Sequence, residues 1–267
     1  MKFARLGYEV RGDIALVSLN RANKLNAFDE MMFEDLIKVQ KHIRHDRNLR
    51  AVIIKGEGSD FSSGLDIKSV MTNPKAVLRI FWKWLPWQAN KVQKVSVGWR
   101  RLSIPVIFAI HGRCWGAGMQ TALGGDFRFV APKSSLAIME ARWGLIPDMA
   151  GSLALREMMS IDKALDYTMT AREILPKEAL DAGLVTRVVD DPFEEAYKFA
   201  LQLTEKSPDA LAAIKKLYQF AWHHNDYSLL AKEWLLQWRM LVGRNRKVAL
   251  QKAMGQGEQI RYFPRSL

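Results

Sequence analysis

Between Ile14 and Leu19 the chain is apolar and rich in β-branched side chains, then turns polar at Asn20-Arg21-Ala22-Asn23-Lys24, which predicts a strand and the loop that ends it. Asp29 stands where a helix cap belongs. Behind it Met32, Phe33, Leu36, Ile37, Val39 and Ile43 recur mostly at spacings of three and four, the signature of a helix with one apolar face. Ala51-Val52-Ile53-Ile54 is a short continuous apolar run of the buried-strand kind, followed by Gly56, Gly58 and the loop Asp60-Phe61-Ser62-Ser63-Gly64. Strand, helix and strand make one βαβ unit.

The pattern then repeats with variations. Residues 76–101 read as helical, interrupted at Pro86, and carry Trp82, Trp84, Trp87 and Trp99. Pro105 to Ile110 is a second buried-strand run, and it feeds the glycine-rich turn His111 to Gly118 and an apolar helix from Met119 to Leu123. Phe127–Val130 and Leu136–Met139 predict two more short strands, ahead of Glu140 and the irregular stretch Gly144 to Gly151. Beyond that the chain is helical apart from a strand at Leu184 to Val189. The expectation is an α/β core over residues 1–190 and a helical region over 191–267 that covers the site or joins subunits.

Composition narrows the class. The 267 residues are 49% hydrophobic and 25% charged, the balance of a folded globular chain. The lone cysteine, Cys114, excludes an intramolecular disulfide framework and suits a small core filler. With no apolar run near the roughly 20 residues of a spanning helix, and none of signal-peptide kind at the start, the expected compartment is the cytoplasm. A formal charge of +12 favours anionic ligands: nucleic acid, acidic lipid or a phosphorylated molecule.

Four stretches, taken together, resemble one family. Asn20-Arg21 with Lys24-Leu25-Asn26-Ala27, then Asp60 to Ile67, His111 to Gln120 and Met139 to Pro147 follow the order and approximate spacing of the enoyl-CoA hydratase/isomerase (crotonase) superfamily. The resemblance implies a spiral of repeated ββα units, assembly into trimers or hexamers, and an acyl-CoA thioester as substrate, with no separate cofactor. It also implies an oxyanion hole of two backbone N–H groups, at positions matching Ser63 and Ala117. Such donors suit an enolate, because groups fixed in a turn need no reordering as charge develops, and a helix start favours negative charge. Gly64, Gly116 and Gly118 would line the site, and Lys24, Leu25, Leu65, Asp66, Ile67 and Lys68 match the segments that hold CoA, the two lysines toward its phosphates.

Hydratases of the family hold a water between two glutamates. One matches Glu140, but the other position is Gln120, which hydrogen-bonds yet exchanges no proton at neutral pH. Asp148 adds a carboxylate eight residues after Glu140, a pattern similar to the dienoyl-CoA isomerase branch. The leading expectation is therefore an isomerase that shifts double bonds in enoyl- or dienoyl-CoA, with Glu140 and Asp148 carrying protons and Gln120 lining the site. Blander roles are a packing residue for Gln120 and a cap or turn for Asp148.

Two other readings stay open. One is a true hydratase adding water to 2-enoyl-CoA. The other is RNA binding through Lys38, Lys41, Arg44, Arg47 and Arg50 on the first helix, which a solvated basic face explains more simply. His111 reads as a strand-end hydrogen-bonding residue, and His223-His224 as a solvated pair with no metal.

Overall fold

The computed structural model describes residues 2–70, 74–256 and 259–267. Its main sheet has the order β1-β2-β3-β4-β6-β8, built from β1 (Leu6–Arg11), β2 (Ile14–Leu19), β3 (Ala51–Gly56), β4 (Val106–Ile110), β6 (Phe127–Val130) and β8 (Arg187–Val188). β1 runs antiparallel to β2 and the remaining pairs are parallel. β5 (Arg113–Trp115) and β7 (Ser135–Ala137) form a separate parallel pair. The helices are α1 (Glu30–His45), α2 (Ile67–Val70), α3 (Pro74–Phe81), α4 (Lys91–Arg100), α5 (Ala117–Ala122), α6 (Gly151–Met158), α7 (Ile161–Thr170), α8 (Pro176–Asp181), α9 (Pro192–Thr204), α10 (Pro208–Ala221), α11 (Asp226–Val242) and α12 (Arg244–Ala253).

Each parallel crossover follows one plan. After β2, β3, β4 and β6 the chain lays down a short piece in a second layer before it turns helical: residues 27–28, which follow a left-handed turn at Leu25 and Asn26, residues 62–65, β5 and β7. These pieces pair sideways, through Phe28 with Leu65, Ser62 with Cys114, β5 with β7, and Leu136 with Ile174. This is the repeated strand–turn–helix spiral of the crotonase fold, with the two glycine loops on neighbouring turns.

The central strands are covered on both sides, which is why they read as continuous apolar runs. Between the layers lie Phe28, Met32, Phe33, Leu36, Phe61, Trp99 and Phe108, all fully buried. Burying one such side chain contributes about 1.5–3 kcal/mol. Asp29 caps α1 as expected, its Oδ1 accepting from Met32 N–H at 2.9 Å. The opposite face, with Ile14, Leu16, Ile53, Ile107 and Phe129, is closed by Ala196 and Ala200 of α9. α9 thus completes the α/β core, and the boundary expected at residue 190 does not divide it.

Several sequence expectations are corrected. β1 was not expected, because as an edge strand its outer half is exposed and its apolar signal is weak. The interruption expected at Pro86 is present but wider than a kink, since α3 ends at Phe81 and α4 starts at Lys91, with Asn90 and Gln93 forming a reciprocal cap there. The strand expected at Leu184–Val189 shrinks to β8, since Leu184 and Val185 both donate their N–H to Ala179 O at the end of α8. The basic helix loses two members: Arg47 and Arg50 lie beyond α1, and Arg50 is buried, donating to Thr204 O and Lys206 O. His223 is not simply solvated, for its Nε2 meets Glu157 Oε1, which also pairs with Arg100.

Candidate active site

Asp60 joins the two glycine loops. Its Oδ1 accepts from both the backbone N–H and Nε of Arg113, at 2.8 and 2.7 Å, and that guanidinium holds the buried carboxyl far below its ordinary range. Ser62 N–H donates to Arg113 O and Trp115 N–H to Ser62 O, so the first loop runs beside β5. On its other side Ser63 N–H donates to Leu25 O at 2.9 Å. Ser63 is therefore not an oxyanion donor.

Two residues on, at Leu65, the backbone N–H is left without an acceptor among the described residues. Phe28 N–H donates to Gly64 O and Asp66 N–H to Phe28 O, which turns the Leu65 N–H away from Phe28. Gly64, at φ +98°, makes the bend, and a Cβ there would lie 3.1 Å from Trp115 O and 3.7 Å from Ala117 N. Ala117 is the first residue of α5, where helix N–H groups lack partners within the helix. Among the described residues, nothing accepts from the Leu65 or Ala117 N–H, and both residues line one pocket. Gly118 stands behind it: a Cβ there would sit 2.6 Å from Ser62 Cβ, so its absence lets α5 pack on the first loop.

Gln120 is fully buried and spans two elements. Its Nε2 donates to Glu140 Oε1 at 2.7 Å, and its Oε1 accepts from Met149 N–H at 3.0 Å. One amide thus fixes Glu140 and the chain next to Asp148. Glu140 begins the 3-10 turn Glu140–Trp143, and its second oxygen, Oε2, is buried with no partner among the described residues. Burial pushes its carboxyl up, the bond from Gln120 opposes this, and nearby Asp148 adds to the rise. Asp148 is also raised, by burial. It does not cap α6, whose N-cap is Ala150. Two carboxyls with raised values in one pocket suit groups that both take and give protons.

The pocket has a volume of about 550 Å³ and is mainly apolar, walled by Phe33, Ile80, Phe81, Val92, Leu145 and Met149. These walls come from α1, α3, α4 and the 145–149 loop, so no single stretch of sequence revealed them. Of the segments expected to hold CoA, Leu65 and Ile67 line the pocket, while Lys24 and Lys68 are exposed. Leu25 supplies its carbonyl to Ser63. Asp66 is taken up in the loop itself, accepting from Arg21 at 2.8 Å and from Ser69 N–H. Cys114 is buried against Met119, and burial drives its thiol well above the ordinary value. His111 makes the expected strand-end contact, Nε2 to Gly58 O at 2.9 Å. Trp99 is core, whereas Trp82, Trp84 and Trp87 are exposed.

A spiral α/β fold that aims two backbone donors into an apolar pocket beside buried carboxyls defines a class of acyl-transforming enzymes rather than a binding module. Residues 9–251 match the family described as "Enoyl-CoA hydratase/isomerase", and the chain belongs to that family. It is 31% identical over 234 residues to a Mus musculus protein named Delta(3,5)-Delta(2,4)-dienoyl-CoA isomerase, mitochondrial, covering 84% of this chain and 70% of that one. A carnitinyl-CoA dehydratase of Escherichia coli (strain K12) is 32% identical over 213 residues, covering 78% of this chain and 77% of its own length. A crystal structure of an enoyl-CoA hydratase from Polaromonas sp. JS666 superposes with a TM-score of 0.86 at 25% identity, over 97% of this chain and 99% of that one. No described helix is long and apolar enough to cross a membrane.

Proposed function

We propose that this protein is an acyl-CoA isomerase that moves a double bond by proton transfer. The observation that carries the reading is the 2.7 Å bond from Gln120 to Glu140: the group beside the carboxylate is an amide that cannot titrate, and the second carboxyl in the pocket is Asp148. A two-carboxylate hydration site lacks one member here. The thioester oxygen lies between the Leu65 and Ala117 N–H groups, and Glu140 Oε2 takes a proton from the carbon next to the carbonyl. The electron pair moves onto that oxygen as an enolate, which the two donors stabilise. In a 3-enoyl substrate the proton returns two carbons further along, giving the conjugated 2-enoyl thioester. In a 3,5-dienoyl substrate it returns four carbons further, and Asp148 supplies it. No water is added or lost. Burial raises both Glu140 and Asp148, which eases the return of a proton taken up in the first step.

Lys24, at the end of a 3-10 turn, and Lys68, on α2, are both exposed and are assigned to the CoA phosphates, for which a net charge of +12 supplies general attraction. The α10–α11 face, with exposed Leu230, Trp234 and Trp238 around an apolar groove, is assigned to contacts within a trimer or hexamer. Incubating the purified protein separately with 2-enoyl-, 3-enoyl- and 3,5-dienoyl-CoA, and following conjugation against hydration by absorbance, tests the reading. Conjugation of the latter two supports it. Rapid hydration of 2-enoyl-CoA with no isomerisation replaces it with the hydratase.

A further inference from the structure

We propose that the segment Trp82–Trp87 docks this protein on an anionic lipid surface. The segment links α3 to α4 and is the most exposed aromatic stretch of the chain: Trp84 is 86% exposed, Trp87 80% and Trp82 59%, with Leu78 and Leu85 also exposed beside them. A monomeric surface seldom carries such a contiguous apolar patch without a partner. The sequence Trp82-Lys83-Trp84-Leu85-Pro86-Trp87 sets one cation, Lys83, among five apolar residues. Tryptophan favours the boundary between water and hydrocarbon, since its ring is apolar and its N–H still needs a partner.

Charge selects the kind of surface. Residues 67–125 contain nine lysines and arginines and no aspartate or glutamate, so most of the chain's net charge belongs to the stretch that carries this segment. Four of these cations are neutralised from other segments, Arg79 by Glu30, Lys91 by Glu34, Arg100 by Glu157 and Arg113 by Asp60, but Lys83 has no carboxylate partner among the described residues. Apolar insertion with neighbouring cations is what binds an interface bearing anionic headgroups. Two other occupants fit less well. A nucleic acid would stack on the indoles but gain nothing from Leu78, Leu85 and Pro86. A second copy meeting the same face would press one acid-free stretch against another. The position has a use: Trp82 follows directly on Phe81, which walls the pocket, so a docked protein would present its acyl-binding mouth to the lipid phase.

The test uses the full chain and sucrose-loaded vesicles, either phosphatidylcholine alone or an equimolar mixture with phosphatidylglycerol, with Trp84→Ser/Trp87→Ser and Lys83→Glu as variants. The wild type should sediment with the anionic vesicles and release at high salt. The double variant should lose at least about tenfold in partitioning, and Lys83→Glu severalfold, while Trp222→Ser, on α10's far end, keeps it. Far-UV circular dichroism verifies that each variant is folded. The proposal is overturned if the wild type stays in the supernatant, or if the folded double variant or Lys83→Glu partitions like wild type. It is also overturned if the double substitution lowers the oligomeric mass in light scattering, or if single-stranded RNA binds this segment more tightly than vesicles do. None of these readouts depends on which reaction the enzyme performs.

Discussion

Glu140→Gln should cost activity and raise stability together. The substitution keeps size and shape, and a glutamine oxygen can still accept from Gln120 Nε2 where Glu140 Oε1 does now at 2.7 Å. What disappears is the only proton acceptor at Oε2. A positioned general base contributes about 10²–10⁴-fold, or about 3–5 kcal/mol of barrier, so kcat/KM for a 3-enoyl thioester should fall by that factor. Stability moves the other way. Oε2 is buried without a partner, and the amide NH2 that takes its place is no better served, so the gain comes from removing a buried charge: burial holds the carboxyl above its ordinary value of 4.5. A group whose value is raised by folding contributes stability below its unfolded value and loses it as pH rises through the folded one. Above the folded value the wild type has lost that contribution and the amide has not. Taking about 1 kcal/mol as the net gain, the melting temperature should rise by about 2–4 °C at pH 7 in a chain of this size, and the gain should vanish toward pH 4. Differential scanning calorimetry across pH, beside stopped-flow absorbance with 3-enoyl-CoA, checks both halves. Full activity in the variant, or a lower melting temperature at pH 7, would refute the reasoning.

Asp148→Asn should impair 3,5-dienoyl-CoA at least about tenfold more than 3-enoyl-CoA, measured as the ratio of kcat/KM values, because only the longer transfer needs a second proton carrier. Ala117→Pro removes one oxyanion donor at the first helical position, where proline is tolerated, so kcat should drop about 10²–10³-fold with the circular dichroism spectrum unchanged. Gln120→Glu should produce measurable hydration of 2-enoyl-CoA where the wild type shows little, by supplying the missing second carboxylate. Asp60→Asn should lose about 2–3 kcal/mol in urea titrations at neutral pH, since it weakens charge-assisted bonds between the two loops. Because Arg113 depresses the Asp60 carboxyl, the wild type's advantage should be full above the ordinary value of 3.8 and shrink as pH falls below it.

The sequence by itself determined the elements whose signal is local. β2 spans Ile14–Leu19 as its apolar run predicts, and Asp29 caps α1 because a short acceptor ahead of an apolar period needs no tertiary help. The carboxylates Glu140 and Asp148 and the absence of one at Gln120 stood out only through the resemblance to the enoyl-CoA hydratase/isomerase family. Direction was not legible. Whether Ser63 or Leu65 offers its N–H depends on which neighbour each backbone group meets, and Leu25 and Phe28, some forty residues earlier, decide it by occupying Ser63 N–H and Gly64 O. The apolar wall likewise gathers Phe33, Ile80 and Val92 from three helices that approach only once the spiral has closed. Periodicity records which face of an element is buried, whereas a site is made where faces of different elements meet. Hydrogen-bond pairing across the layers, a property of the closed fold, chooses which backbone donors remain for the substrate.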